Sequence, residues 1–236
     1  MARVQSLRST ALEAVIFTLL ALTDPSVARA QIVVLDEGTF EIFVGGKQVG
    51  TEEFTIRREG SGADAVVLAN ATVSLDGDHR SVMRPLVKAG LDRSPIEFTN
   101  TIEGSEVLAV SLNHMGRHFR VLVSSQAGER EREVPARPGT VLLEQDVAHH
   151  YWFLAPMAER EGVGLATVVP RTGEQIRLQV ASVAADAVIV GGERVEARKV
   201  VLTAGSDSRS VWFDGQGRVL RVEIPATGYR AVRVGG

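Results

Sequence analysis

The sequence predicts an all-β protein: an antiparallel, strongly curved sheet or incomplete barrel with one helix across its opening. Three observations lead there. Apolar and polar residues alternate in short runs along most of the chain, the signature of half-buried strands. Glycine-bearing turns separate those runs at short intervals, which suits antiparallel neighbours and not βαβ crossovers. Only one later stretch, EQDVAHHYWFLAPMAEREG, carries apolar side chains at helical spacing.

The first thirty residues stand apart. Arg3 and Arg8 give a positive start, residues 14–23 form an uncharged and mostly apolar run, and Asp24-Pro25 breaks it. Ala28-Arg29-Ala30 then places small residues where a signal peptidase needs them. This order predicts a secretory signal over 1–30, too short for a membrane span. The remaining chain, 31–236, is expected to be a single β-rich domain in the periplasm or outside a bacterial cell. It has no cysteine. Packing and strand ladders must therefore stabilise it without disulfides, and no acylated cysteine can anchor it. No later run is long enough to cross a bilayer as a helix.

The whole chain carries 26 Lys and Arg against 29 Asp and Glu. Without residues 1–30 the balance is 23 against 27, a net of −4 with the signs interspersed. Such a surface gives no reason to expect nucleic acid or anionic lipid as a partner.

The elements follow in order. Phe40, Ile42 and Val44 share one strand face, and Gly45-Gly46 can take the positive φ of a tight hairpin turn. Phe54 and Ile56 continue on the second arm. Val49 has the opposite parity, so a bulge at Gly50 is needed for both to point inward. Val67, Ala69, Ala71, Val73 and Leu75 alternate until Asp76-Gly77. The segment from Pro85 to Pro95 lacks a pattern and reads as a loop. Ile96 and Phe98 open a strand running to Ile102; Leu108, Val110 and Leu112, then Phe119, Val121 and Val123, form a hairpin turned near Met115-Gly116. In GEREREVP, alternating Glu and Arg suit an edge strand that resists pairing with another chain. Residues 146–161 predict the helix, with Val147, His150, Tyr151, Leu154 and Ala158 on one stripe, Asp146 as the cap, Gly162 after the end, and Pro156 kinking or ending it. Strands then resume with Leu165 to Val169, with Ile176, Leu178 and Val180, and with Val188 to Val190, which meets a second turn at Gly191-Gly192. ERVEARKVVLTA follows, then Val211 and Phe213, then RVLRVEI, and last the alternating residues after Tyr229. About a dozen strands result.

The segments VGGKQVGTEEFTI, HHYWFLA and VWFDGQGRVLRVEIP resemble uncharacterised secreted bacterial proteins assigned to domains of unknown function. The likeness is spread over most of the chain beyond residue 30. It implies a sheet curved around a hydrophobic interior, similar in outline to the half-barrels of periplasmic lipoprotein carriers. It brings no catalytic residues to transfer.

Chemistry-bearing motifs are few. His114 and His118 sit on the two arms of a hairpin with no third ligand in sight, so no metal site is assigned. There is no Gly-x-Ser-x-Gly, and Ser206 and Ser208 fall in a hairpin turn. Glu52 and Glu53 alternate across a strand and point apart. No phosphate-cradling loop occurs, and no catalytic residue or cofactor is assigned. The densest feature is HHYWFL. Its aromatics glue a helix to the sheet, or else lid an apolar cavity; on the second reading His150, Tyr151, Trp152 and Leu154 line a ligand site. The sequence thus points to an exported, non-enzymatic envelope protein that binds or carries an apolar, lipid-like ligand in a β half-barrel. The alternatives are a solid-cored interaction or structural protein of the envelope, which would bind another envelope protein, and a hydrolase with an unrecognised site.

Overall fold

The computed structural model describes residues 32–77, 80–105 and 107–235. The export signal expected over 1–30 lies outside them. One arm of the molecule comprises β1 (Val33–Val44), β2 (Lys47–Glu59), β3 (Val66–Leu75), β4 (Ser81–Gly90), β5 (Pro95–Gly104), β6 (Leu108–Met115), β7 (His118–Ser125) and β8 (Gly128–Pro135). The other comprises β9 (Val141–Leu142), β10 (Gly164–Val169), β11 (Glu174–Val190), β12 (Glu193–Ala204), β13 (Asp207–Phe213), β14 (Val219–Ile224) and β15 (Tyr229–Gly235). Together they form a 15-stranded sheet in the order β8-β7-β6-β5-β4-β3-β2-β1-β15-β14-β13-β12-β11-β10-β9. All neighbours are antiparallel except β9 and β10. The all-β, curved and unclosed architecture expected from the sequence is the one observed.

Topology alone forces the curl. β8 and β9 are the two edges of the sheet yet follow one another in sequence, separated by residues 136–140. Such a link spans at most roughly 20 Å, so the edges must approach. No backbone ladder joins them; β8 instead reaches the β10–β11 hairpin through side chains, where Arg130 donates to the Arg171 carbonyl at 3.2 Å and Gln175, on β11, donates to the Pro135 carbonyl at 2.6 Å. β8 is the edge strand that its alternating charges predicted, with only Val134 buried.

The arms join where β1 pairs with β15. The ladder stops at Thr39 and Gly235, and beyond it Arg233 replaces backbone bonds. Its guanidinium meets Asp36 Oδ1 and Oδ2 at 2.8 and 3.2 Å, and it also donates to the Glu37 carbonyl. A Cβ on Gly38 would lie 2.5 Å from the Gly235 carbonyl oxygen, so this approach needs glycine.

The first hairpin forms as its residues dictate. Gly45 and Gly46 take φ of 57° and 83°, the left-handed pair that matches strand twist. The register then slips, Ile42 facing Gly50 and Phe43 facing Gln48. The extra residue, Val49, packs inward with Phe54, as the parity argument required. A Cβ at Gly50 would sit 2.0 Å from the Ser74 carbonyl oxygen.

Two segments depart from expectation. Of residues 85–95 only 91–94 form a connection, for β4 runs from Ser81 to Gly90 with Pro85 inside it and β5 starts at Pro95. Proline lacks the N–H a central strand needs. Here the β3–β4 ladder skips from Asn70–Leu86 to Val73–Met83, and buried Asn100 accepts the Arg84 N–H at 3.1 Å. Further on, the two short runs read as Ile176 to Val180 and Val188 to Val190 belong to one strand, β11, because a bulge between Val180 and Ser182 resets the alternation. The far half of the β11–β12 hairpin overhangs β13. It packs Val188 and Ala197 against Trp212 and Leu220 on the outer face.

The helix is the third departure. In place of residues 146–161, only His149–Leu154 is helical, as a six-residue 3₁₀ segment. Asp146 is not its cap; it takes φ of 59°, and Ala148 stands at the N-cap with no side-chain bond of its own. The segment does not lie across the opening with one apolar stripe inward. All six residues are buried, most completely, so it forms a plug within the curl of the sheet. Full burial removes the need for amphipathy, and Pro156 ends the turn as a continued helix would require its N–H.

Candidate functional site

The plug is the centre of the molecule, and each end is held by a different chemistry. The first N–H groups of a helical turn have no partner within it. Those of Ala148 and His149 donate to the Glu52 carboxylate at 2.7 and 2.8 Å. Glu52 lies on β2 with the parity of Phe54 and Ile56, which turns it inward and leaves Glu53 outside. Its Oε1 also faces His149 Nδ1 at 2.7 Å, so that nitrogen carries the hydrogen. Phe40, Phe54 and His149 stack in a column with ring centroids 5.1 and 5.7 Å apart.

His150 is wired differently. Its Nδ1 accepts the Glu144 N–H at 3.1 Å, which requires a bare, neutral nitrogen. Burial, with His149 beside it, pushes its pKa well below the ordinary histidine value. Phe98 meets its ring edge-on at 5.9 Å. Glu144 is buried too, and burial raises its pKa against the pull of Arg171, whose Nε lies 3.0 Å away.

At the other end, arginines bind carbonyl groups of the plug and of the turn after it, including that of Trp152, which also accepts the Ala155 N–H at 3.3 Å. Arg93 donates to the Trp152 carbonyl and places its guanidinium 3.6 Å above the indole. Arg198, on β12, donates to the Ala155 carbonyl at 3.1 Å and to the Ala158 carbonyl. Cations there complement the partial negative charge of a helical C-terminus. Burial lowers the Arg93 pKa to about 10. Arg93 also holds φ of 67°, unusual for a side chain of its size. Among the described residues neither arginine has a carboxylate in ion-pair contact.

These two arginines line a groove of about 740 Å³ between the turn after the plug, the overhanging β11–β12 hairpin and the β13–β14 turn. Ala155, Pro156, Val183, Ala184 and Ala197 make its apolar wall, while Glu159 and Glu196 stand exposed at its rim. The volume is that of an ordinary small-molecule site.

Of the four residues assigned to a ligand site from sequence, the structure brings all into the plug. None lines the groove. His150 and Leu154 are fully buried, Trp152 lies under Arg93, and Tyr151 borders a separate, smaller cavity. Sequence reasoning missed Glu52, Arg93 and Arg198. Glu52 had a signal, a carboxylate in phase with Phe54 and Ile56; the arginines had none. His114 and His118 are exposed on facing arms of the β6–β7 hairpin. No cluster able to hold a metal ion occurs among the described residues, and no helix there is long and apolar enough to cross a membrane.

The chain is similar to a crystal structure from Brucella abortus described as a β-barrel-like protein of the domain of unknown function DUF1849. The two share 10% identity over 85% of this chain and 94% of that one, with a TM-score of 0.49. No family model and no curated protein matches the sequence.

Proposed function

We propose that this is an exported, non-enzymatic protein of the bacterial envelope, periplasmic or released, that binds an apolar, lipid-like ligand. The binding site in this reading is the groove beside the plug, not the hollow of the half-barrel. One observation carries it: a groove of about 740 Å³ with an apolar wall is floored by two guanidinium groups whose hydrogen bonds, among the described residues, go to backbone carbonyls. Such a trough suits a chain with an anionic head. A fluorescent fatty acid should bind saturably to the purified protein. Ala184→Trp, at an exposed position in the groove wall, should abolish uptake, whereas Trp152→Ala should act only by loosening the fold. Uptake unchanged by Ala184→Trp would refute the groove. A mature N-terminus at Gln31 would support export; an uncut precursor in the cytosol would refute it.

A second reading is favoured by the filled interior. A solid core with six consecutive buried plug residues suits an envelope interaction protein that works through its surface. Absence of saturable fatty-acid uptake, together with a stable envelope partner, would select it.

A further inference from the structure

A second groove lies on the far side of the turn that follows the plug. It measures about 650 Å³ and runs between the link at residues 137–139 and β10, along Met157 and Val163. It shares only Pro156 and Glu159 with the groove that Arg93 and Arg198 floor.

Its β10 wall is an open strand edge. β9 is two residues long and pairs with β10 only at Thr167 and Val168. The Leu143 N–H bonds the Val168 carbonyl at 3.0 Å. Successive residues of a strand turn their main-chain groups to alternate sides, so Gly164 and Ala166 direct theirs the same way as Val168. β11 occupies the opposite side of β10 along its whole length. On the β9 side no strand runs beside Gly164–Ala166; the groove runs there instead. The edge at β8 is guarded by alternating charges, but this stretch reads Gly-Leu-Ala and has no charge of its own to repel an added strand.

The groove is also one-sided in charge. Arg137, Arg160 and Arg177 line it, all exposed, and none of them forms an ion pair among the described residues. Glu159 is the one acid on its wall. Arg177, paired with Ala166 across the ladder, reaches over Gly164, where a Cβ would lie 3.2 Å from its Nε. A cation therefore stands directly beside the open edge.

A compact anion such as phosphate would use the arginines and leave the edge N–H and C=O groups unmatched. A neutral peptide would use the edge and leave the arginines. An extended acidic peptide matches both. We propose that this groove binds a short extended segment of an acidic polypeptide, which adds as a strand to the free edge of β10 at Gly164–Ala166. At the usual rise that edge is about 10 Å long, so the paired stretch is about three residues. Its main chain extends the ladder, and its carboxylates pair with Arg137, Arg160 and Arg177. The proposal does not rest on lipid binding in the other groove.

The test is fluorescence anisotropy of a labelled, amidated peptide, Glu-Val-Glu-Val-Glu, titrated with the purified protein. It should bind saturably, and Lys-Val-Lys-Val-Lys should not. Methylating either the glutamate or the valine nitrogens keeps every charge, and one of those sets must face β10. One of the two methylated peptides should therefore bind about tenfold more weakly. The double variant Arg160→Gln/Arg177→Gln should weaken binding by about tenfold or more, with circular dichroism checking that it is folded. Ala184→Trp in the other groove should change nothing. No saturable binding, equal binding of the lysine peptide, or full affinity in both methylated peptides would each overturn the proposal. So would full affinity in the double variant, loss of binding in Ala184→Trp, or tripolyphosphate competing as well as unlabelled peptide.

Discussion

The two ends of the plug solve one problem with opposite charges and unequal burial. At the N-terminal end a single carboxylate, Glu52, is wholly buried and takes hydrogen bonds from two backbone N–H groups and one imidazole. At the C-terminal end two half-buried arginines divide three carbonyls between them. One end is sealed by a lone residue in low dielectric; the other is shared and borders an open groove. Redundancy and solvent access together set how much each contact is worth.

The largest effect should therefore come from Glu52→Ala. Removing one partner of a buried charged group strands the others: two N–H groups and an imidazole lose their acceptor at once. A loss of about 3–5 kcal/mol in unfolding free energy is expected, read by urea denaturation. A loss under about 1 kcal/mol would mean that water replaces the carboxylate and that the N-terminal end is no more sealed than the other. Arg198→Met should cost less, about 1–2 kcal/mol, because Arg93 still holds the Trp152 carbonyl and solvent can reach the groove. If the two variants proved equal, the contrast between the ends would collapse.

The contrast also marks how far the sequence could be read. Strand alternation exposed nearly every inward residue of β1, β2, β3, β6 and β7, because one face of each is buried and a period of two cannot hide. Gly50 was legible from a parity clash between Val49 and Phe54. Pro85 misled, since its tolerance depends on Asn100, a side chain brought from the neighbouring strand. The plug misled in a related way. A stripe of Val147, His150, Tyr151, Leu154 and Ala158 looks amphipathic only if the opposite side, with His149, Trp152 and Phe153, meets water; inside a curled sheet it does not. Arg93 and Arg198 carry no local mark, because what they bind is backbone remote in sequence.

A smaller effect concerns pH. His150 is buried neutral with its pKa pushed well below the ordinary value of 6.5. As pH falls through that ordinary value, the unfolded chain takes up a proton that the folded one does not. Stability then falls with pH, by at most about 1.4 kcal/mol per pH unit from this group. Glu144 opposes it: burial raises its pKa, so its contribution to stability is lost as pH rises through the usual carboxylate range and returns as pH falls below its raised value. His150→Asn keeps an acceptor for the Glu144 N–H but removes the titrating ring. Comparing urea midpoints at pH 7.5 and 5.5 should show a shallower decline in the variant than in the wild type. Parallel declines would assign the acid sensitivity elsewhere.

The smallest effect sharpens the comparison most. Arg120 on β7 and Glu131 on β8 form an ion pair of 2.7 Å, the same length as the contact between Glu52 and His149. Both partners are exposed, on the edge where the sheet faces solvent. The pair lowers the Glu131 pKa and raises that of Arg120, chiefly through the hydrogen bond between them. Solvent and salt nevertheless screen it, and holding two long side chains in one geometry opposes its formation. Arg120→Ala should leave the melting temperature unchanged within error at physiological salt, where Glu52→Ala lowers it sharply. A clear drop for Arg120→Ala would show that the charged edge strand takes part in holding the curl closed through Arg130 and Gln175. In that case distance, and not burial, would have been the better guide to what stabilises this fold.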